Sequence, residues 1–302
     1  MQDYILIDQK IIENNYEDKT ILFIFAGRED RMSLLLPYLK SLITQNLIDY
    51  VHIWNFARTE EDFIWIQSLK KENKFVLFST SNQTDLPKNP YQSYKAVYKF
   101  YSMSNFKDSY FIKCDDDIVY IDTSKDSFNS FLNKIKTITE KSSYYLVSAN
   151  VINNGVCAYA QQNKCNLIPN HLVRFPFPNE NNKLGHAIEK YWKHGKKSQI
   201  LHEYFIANKQ EFISDSKKYR EANLQQGIRF SINFIGFKQN FLLKFMLNNS
   251  SLDDEHYLTV EISKLLKKNI IIWMPLVVSH LSYQSQTAQN DVGLLKLYKT
   301  II

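Results

Sequence analysis

Residues 110–121 read Tyr110-Phe111-Ile112-Lys113-Cys114-Asp115-Asp116-Asp117-Ile118-Val119-Tyr120-Ile121, and this stretch decides how the rest of the chain is read. An apolar, β-prone run ends in three consecutive carboxylates, and apolar residues then resume. In an extended segment alternate side chains share a face, so Asp115 and Asp117 are expected on one side and Asp116 on the other. Like charges that close resist joint ionisation unless a cation or strong donors lie between them. Carboxylate oxygens at this spacing suit a hard divalent ion such as Mg2+ or Mn2+, which usually keeps substrate phosphate in its shell. The plainer alternative is a polar turn between two strands. Phe, Ile and Val close on both flanks favour the metal site. Such a trio is expected on a cleft; bound up with lysines and arginines in a packed interior, it would lose that role.

Outward from this stretch, strand-like runs alternate with helical patterns. Ile21–Ala26 is a predicted strand ending at Gly27. Leu34, Leu35, Tyr38, Leu39 and Leu42 have helical spacing, with Pro37 expected near the helix start or at a kink. Val51–Trp54 and Lys74–Phe78 are further strands. Thr59, followed by Glu60, Glu61 and Asp62, signals the N-cap of a helix carrying Phe63, Ile66 and Leu69. Tyr91–Ser102 is a helix leading into the strand Tyr110–Cys114. Strands alternating with helices predict an α/β fold with a Rossmann-like, mainly parallel sheet flanked by helices.

The regularity weakens after Val151. Residues 153–230 are rich in Asn, Lys and aromatics and are interrupted by Pro169, Pro176 and Pro178, so an irregular insertion lining a site is expected there. Phe230–Phe237 resumes a strand pattern, Asp253–Lys267 a helical one, and Ile270–Val278 a buried strand ending at Ser279 and His280. Gln284–Asn290 reads as a polar tail before a short helix with Leu294, Leu295 and Leu297. No internal repeat divides the chain, and 1–302 is expected to form a single domain.

Lys and Arg number 37 against 31 Asp and Glu, a net charge of 37 − 31 = +6. A hydrophobic fraction of 44% is ample for a core and unlike a disordered chain. The modest basic excess suits an anionic small ligand or a membrane surface; without a concentrated Lys/Arg stripe, nucleic acid is not expected as a partner. Cys114, Cys157 and Cys165 are odd in number and have no CxxC spacing, so they read as free thiols of a reducing compartment. The start of the chain lacks a basic leader, and the longest apolar stretch, Ile270 to Val278, is about half of what a bilayer span requires. A cytoplasmic protein with at most peripheral membrane contact is expected.

In open α/β sheets, ligands bind outside the carboxyl ends of the strands. Ala26, Gly27 and Arg28, Asn55 to Arg58, Ser79 to Ser81 and Asp115 to Asp117 all fall at predicted strand ends. Together they would form a rim able to seat a nucleotide diphosphate. Arg28, Arg58 and Lys95 are candidates for neutralising phosphate, and each could equally be a solvated surface charge. A second acidic cluster, Asp253-Asp254-Glu255, opens the late helix. These carboxylates either cap free N–H groups and favour the helix dipole or present a general base; both readings stand. His280 after an apolar run is commonly a satisfied structural residue and gains weight only from the acidic trio. His202-Glu203 lacks the second histidine of a zinc-protease helix. With no GxGxxG and no phosphate-loop motif, dinucleotide oxidoreductases and P-loop enzymes are not expected. Phe175, Phe177, Tyr191, Trp192, Tyr204 and Phe205 could stack on an acceptor sugar, although burial is the commoner fate of such rings.

Taken in order, the strand and polar loop at Ile21–Arg28, the triplet Asp115-Asp116-Asp117, the acidic pair Asp253-Asp254 and His280 after a strand resemble a glycosyltransferase of the GT-A fold. The run Phe111 to Asp122 is similar to nucleotide-sugar enzymes of bacterial surface-glycan loci and large DNA viruses. The resemblance implies a metal-dependent transferase that moves a sugar from a nucleotide-diphosphate donor, a UDP-sugar favoured, to a hydroxyl of a glycan or other acceptor, with inversion. It implies that 1–150 bind the donor and 151–302 the acceptor. Ala26, Gly27, Arg28, Asn55, Arg58, Lys95, Asp115 and Asp116 would contact the donor. Asp115, Asp117 and His280 would hold Mn2+ or Mg2+. Asp254 would be the base; the family's late motif is Glu-Asp where this chain has Asp-Asp-Glu, so Glu255 remains the alternative. Two other functions stay open: a non-catalytic nucleotide- or glycan-binding module of the same fold, and a metal-dependent phosphodiesterase or nuclease working around paired ions.

Overall fold

The strands whose carboxyl ends were expected in a row lie side by side. In the computed structural model, which describes residues 14–79, 90–175, 193–245 and 253–302, β1 (Thr20–Ala26), β2 (Tyr50–Asn55), β3 (Phe75–Ser79) and β4 (Tyr110–Asp115) form the order β3-β2-β1-β4. All three pairings are parallel, with Ile24 opposite both Ile53 and Cys114. The connections run through α1 (Glu29–Thr44), α2 (Glu60–Ser68) and α3 (Pro90–Tyr101). Burial on both faces explains the continuous apolar runs of β1 and β4. Thr59 caps α2 as its sequence signals, accepting from the Asp62 N–H at 3.1 Å.

Of the two places expected for Pro37, the helix start is not the one taken: it lies inside α1, which continues to Thr44. The lost backbone hydrogen bond is offset by the buried stripe of Leu34, Leu35, Tyr38, Leu39 and Leu42.

The sheet as a whole is mixed, which corrects the expectation of a mainly parallel one. Beyond β4 come β8 (Phe234–Lys238), β6 (Tyr144–Ile152), β9 (Asn269–His280) and β5 (Ile118–Ile121), with β7 (Glu221–Leu224) also paired to β9. β6 and β9 are parallel, whereas β4–β8, β6–β8, β5–β9 and β7–β9 are antiparallel. Alternation of strands and helices reports the crossovers of the first half. It carries no information on late strands that insert antiparallel from distant parts of the chain.

The sheet is also curled, and the reason lies in the acidic triplet. Only Asp116 and Asp117 separate β4 from β5, yet β5 sits four places along the sheet. Three residue steps span at most about 11 Å, while four flat strand spacings would need roughly 19 Å. The sheet must therefore bend until the end of β9 approaches the end of β4. That bend sets Ile118 opposite His280.

The stretch expected to be irregular contains regular elements among its described residues. It holds α5 (Gly155–Asn163), α6 (Gly195–Ala207), α7 (Lys209–Lys218) and β7. Asn154 caps α5 through the Val156 and Cys157 N–H groups, a signal hidden in an Asn-rich context. The expected polar tail is helical too, being the first half of α10 (Gln284–Tyr298). Gln239–Phe245 (α8) follows β8. The late helix, α9, runs through Asp254–His256, a π-helical turn at Tyr257–Glu261 and Ile262–Leu266, and ends where Lys267 adopts a left-handed conformation. Among the described residues no helix is long and apolar enough to cross a membrane. The three cysteines are free and buried.

Gly236 in β8 marks the tightest core contact. A Cβ there would lie 2.1 Å from Ile135 Cδ1 and 2.7 Å from its Cγ1, on the helix Lys125–Lys136 (α4) packed against the sheet. Gly236→Ala is expected to cost about 1–3 kcal/mol through overpacking. It should appear as a lower urea midpoint at unchanged slope; an unchanged midpoint would contradict this packing.

Candidate metal centre

The last residue of β4, the turn after it and the last residue of β9 build the site. Pairing of β5 with β9 is locked by the Leu281 N–H, which donates to the Asp117 carbonyl at 2.8 Å. One ligand atom each from Asp115, Asp117 and His280 then lies within 4.8 Å of the others. His280 Nε2 is 3.2 Å from Asp117 Oδ1, and its Nδ1 is buried with no hydrogen-bond partner among the described residues. Asp116 and Asp117 lie in a turn and not a strand, so the expected alternation does not apply there: one Arg28 nitrogen, Nη2, bonds both Asp116 Oδ1 and Asp117 Oδ2.

Asp115 is fixed from two sides. Lys113, two residues back on the same face of β4, pairs with Oδ1, and Asn233 Nδ2 donates to Oδ2 at 3.0 Å. The Lys113 ammonium also donates to the Ile232 carbonyl at 3.0 Å. Burial would weaken that charge, but Asp115 and Asp254 outweigh it and hold Lys113 above its ordinary range.

Two of the three carboxylates are enclosed by guanidinium groups. Arg28 grips Asp116 with two nitrogens, and the Gly27 N–H adds a 3.0 Å hydrogen bond to Asp116 Oδ2. A Cβ at position 27 would sit 2.8 Å from the Phe56 carbonyl oxygen, so only glycine lets β1 end this close to the loop after β2. Arg28 also reaches Asp117 Oδ2 at 2.9 Å, and Arg31 approaches the same oxygen at 3.3 Å. Burial alone would push the Asp117 carboxyl up; His280, Arg28 and Arg31 outweigh it and hold the group well below the usual carboxylate range. Asp117 thus divides its oxygens, Oδ2 to the arginines and Oδ1 toward His280. The expectation of a cation-free trio on a cleft is therefore not met: Asp116 and Asp117 are buried against Arg28 and Arg31, Asp115 is paired with Lys113, and only Asp115, with 26% of its side chain exposed, reaches solvent.

The second cluster sorts its three members. Asp253 caps α9 through the His256 N–H at 2.7 Å and pairs with Arg229 at 2.8 Å. Glu255 pairs with Arg229 at 2.6 Å. Asp254 has no arginine; its Oδ2 accepts from the Tyr98 hydroxyl at 3.1 Å. Burial lifts Asp254 above the ordinary carboxylate range, with Lys113 pulling it back and Asp115 adding to the rise.

No protein-family model and no curated protein matches this chain.

Among the remaining predicted residues, Ala26 and Asn55 end β1 and β2 as buried residues. Asn55 Oδ1 accepts from the Ala57 N–H at 3.0 Å, while its amide nitrogen is buried without a partner among the described residues. Arg58 lies exposed near Asp116. The side chain of Lys95, Ser81 and the rings of Phe177, Tyr191 and Trp192 lie outside the described residues. Phe175 and Phe205 are core residues and so offer no face to a sugar, whereas Tyr204 is half-buried against the core. Lys113, Arg31, Asp291, Asn233 and Tyr283, whose ring is 4.8 Å from that of His280, escape sequence reasoning. Only Lys113 leaves a trace there, two places before Asp115 on one strand face. Two surface cavities, one of about 120 Å³ between α5 and β7 and one around α7, lie away from the triad.

Proposed function

We propose that this chain is a metal-dependent glycosyltransferase that moves a sugar from a nucleotide-diphosphate donor to an acceptor hydroxyl. The observation that carries the reading is the convergence of Asp115, Asp117 and His280 within 4.8 Å at the carboxyl end of β4, where α/β sheets take their ligands. The donor set fits one hard divalent ion: two carboxylate oxygens and an imidazole nitrogen bonded at about 2.1–2.5 Å lie no more than about 5 Å apart. The charge balance supports the same ion. Asp115, Asp116, Asp117 and Asp291 share three fixed cations, Lys113, Arg28 and Arg31. Asp254 adds a further negative charge to the field at Lys113. Even with Arg58 counted beside Asp116, five carboxylates face four Lys and Arg cations, which leaves these fixed charges net negative.

Asp115, Asp117 and His280 would hold Mn2+ or Mg2+, which when bound supplies Lewis-acid stabilisation of a departing diphosphate. Arg28 and Arg58 sit at the same rim and would pair with phosphate oxygens. Asp254, lifted by burial and unpaired with arginine, would accept the proton of the acceptor hydroxyl. Glu255, held by Arg229, is the weaker candidate. Asp254→Asn is expected to lower turnover by about 10²–10⁴-fold. Glu255→Gln should leave the rate within a few-fold and act on stability. The reverse ranking in steady-state kinetics would exchange the roles.

The test is a panel of UDP-, GDP- and dTDP-sugars incubated with Mn2+ and followed for donor hydrolysis or transfer. Turnover that is identical with and without chelator would reject the metal role. The arginines on Asp116 and Asp117, with Arg229 on Asp253 and Glu255, favour a second reading, a nucleotide- or glycan-binding module without turnover. Calorimetry that detects nucleotide binding while no donor is consumed would select it. The nuclease alternative needs a second cation cluster, and in the other acidic group Asp253 and Glu255 are taken by Arg229, leaving Asp254 alone.

A further inference from the structure

We infer that Asp291 is a positioning residue that sets metal affinity by holding Arg31 off Asp117. The inference rests on the reading of Asp115, Asp117 and His280 as a metal centre. Arg31, in the first turn of α1, lies between two carboxylates: Nη2 is bonded to Asp291 Oδ2, and Nη1 stands 3.3 Å from Asp117 Oδ2. A charge-assisted contact of this kind usually closes to about 2.7–2.9 Å, so the Arg31–Asp117 hydrogen bond is a long one and Arg31 is held mainly by Asp291. All three side chains are at least nine-tenths buried. They join the last helix, the first helix and the turn after β4 across 260 residues of sequence.

A buried ion pair is a poor device for stability, since apolar residues of the same volume commonly serve as well. It is an effective device for dividing a charge. A guanidinium and a divalent ion compete for the lone pairs of Asp117, and the more of Arg31 that Asp291 holds, the less competes. Arg31 Nε and Asp291 Oδ1 have no hydrogen-bond partner among the described residues, so no further bond fixes the guanidinium where it stands. Without the Asp291 charge, Arg31 would settle on Asp117 and oppose the incoming ion.

Mn2+ titration by calorimetry of the whole chain, with no donor present, tests this. Asp291→Asn is expected to raise the Mn2+ Kd about tenfold or more, as loss of an outer partner of a metal ligand typically does. Arg31→Gln is expected to tighten binding. In the double variant Arg31→Gln/Asp291→Asn the Kd should return to that of Arg31→Gln alone. A purely structural role would lower the melting temperature and leave the Kd of the folded protein unchanged; that result overturns the inference. So does an equal weakening by Asp291→Asn with and without Arg31. Should Asp291→Asn fail to fold, Arg31→Gln decides alone, with unchanged or weaker binding overturning the idea. A parent chain that binds no Mn2+ would remove the metal centre itself, whereas a binding parent with an indifferent Asp291→Asn removes only this role.

Discussion

Asp117→Asn is expected to abolish saturable Mn2+ binding and to cut donor turnover by roughly 10³-fold. The magnitude follows from the several kcal/mol of charge stabilisation that a bound divalent ion supplies, at about 1.4 kcal/mol per tenfold in rate. The substitution keeps the shape of the side chain and removes its charge. Oδ1, which faces His280, and Oδ2, which takes Arg28 and Arg31, are both affected. Removing one partner of a buried pair typically costs about 3–5 kcal/mol. Here the cost should fall at or below that range, because Arg28 keeps Asp116 and Arg31 keeps Asp291. Calorimetry with Mn2+, steady-state rates and urea unfolding separate the two effects. A variant that folds, loses stability and still binds Mn2+ like the parent would assign Asp117 to the ion-pair network alone.

Lowering the pH from 7 to 5 is expected to remove about 4 kcal/mol of stability through two histidines outside the metal centre. His52 on β2 is fully buried among aromatic rings, with Nδ1 3.1 Å from the Tyr101 hydroxyl. His202 on α6 is buried too; its Nε2–H donates to the Leu281 carbonyl at 2.8 Å, and Nδ1 accepts from the Tyr298 hydroxyl at 2.7 Å. Burial holds each imidazole down to about 3, against about 6.5 in the unfolded chain. A depressed pKa means that the unfolded state takes up the proton first. The stability is therefore complete above about pH 6.5 and is lost as the pH falls toward about 3, at about 2 kcal/mol per histidine between pH 7 and 5. His52→Phe suits the aromatic surroundings and leaves the Tyr101 hydroxyl its bond from Trp54 Nε1 at 2.8 Å. In urea unfolding at the two pH values, this variant should lose about 2 kcal/mol less than the parent. Equal losses would mean that His52 titrates normally.

Much of this is local in origin, and its legibility follows from that. β1, β2, β3 and β4 announce themselves as apolar runs because both faces are buried, and Thr59 announces α2. Backbone alternation does not carry over to Asp116 and Asp117, because a turn replaces the strand there and both reach the same Arg28 nitrogen. What stays hidden is non-local. The antiparallel entry of β8 between β4 and β6 has no short-range signature, and the bend that carries His280 to Asp117 depends on it. Arg31 and Asp291 lie 260 residues apart, and each by itself reads as an ordinary charged helical residue. The π-helical turn at Tyr257–Glu261, directly after Asp254 and Glu255, leaves no trace in a helical periodicity. Asp254 and Glu255 are equivalent in sequence because the groups that distinguish them, Arg229 on Glu255 and Tyr98 on Asp254, come from separate segments.

The central claim is that Asp115, Asp117 and His280 hold one divalent ion in spite of the arginines beside them. Crystals of the chain soaked in Mn2+ and measured for anomalous scattering test it most directly. A single peak is predicted within about 2.1–2.5 Å of a carboxylate oxygen of Asp115 and of Asp117 and of an imidazole nitrogen of His280. No peak there at saturating Mn2+, with Arg28 and Arg31 still seated on Asp117, would contradict it.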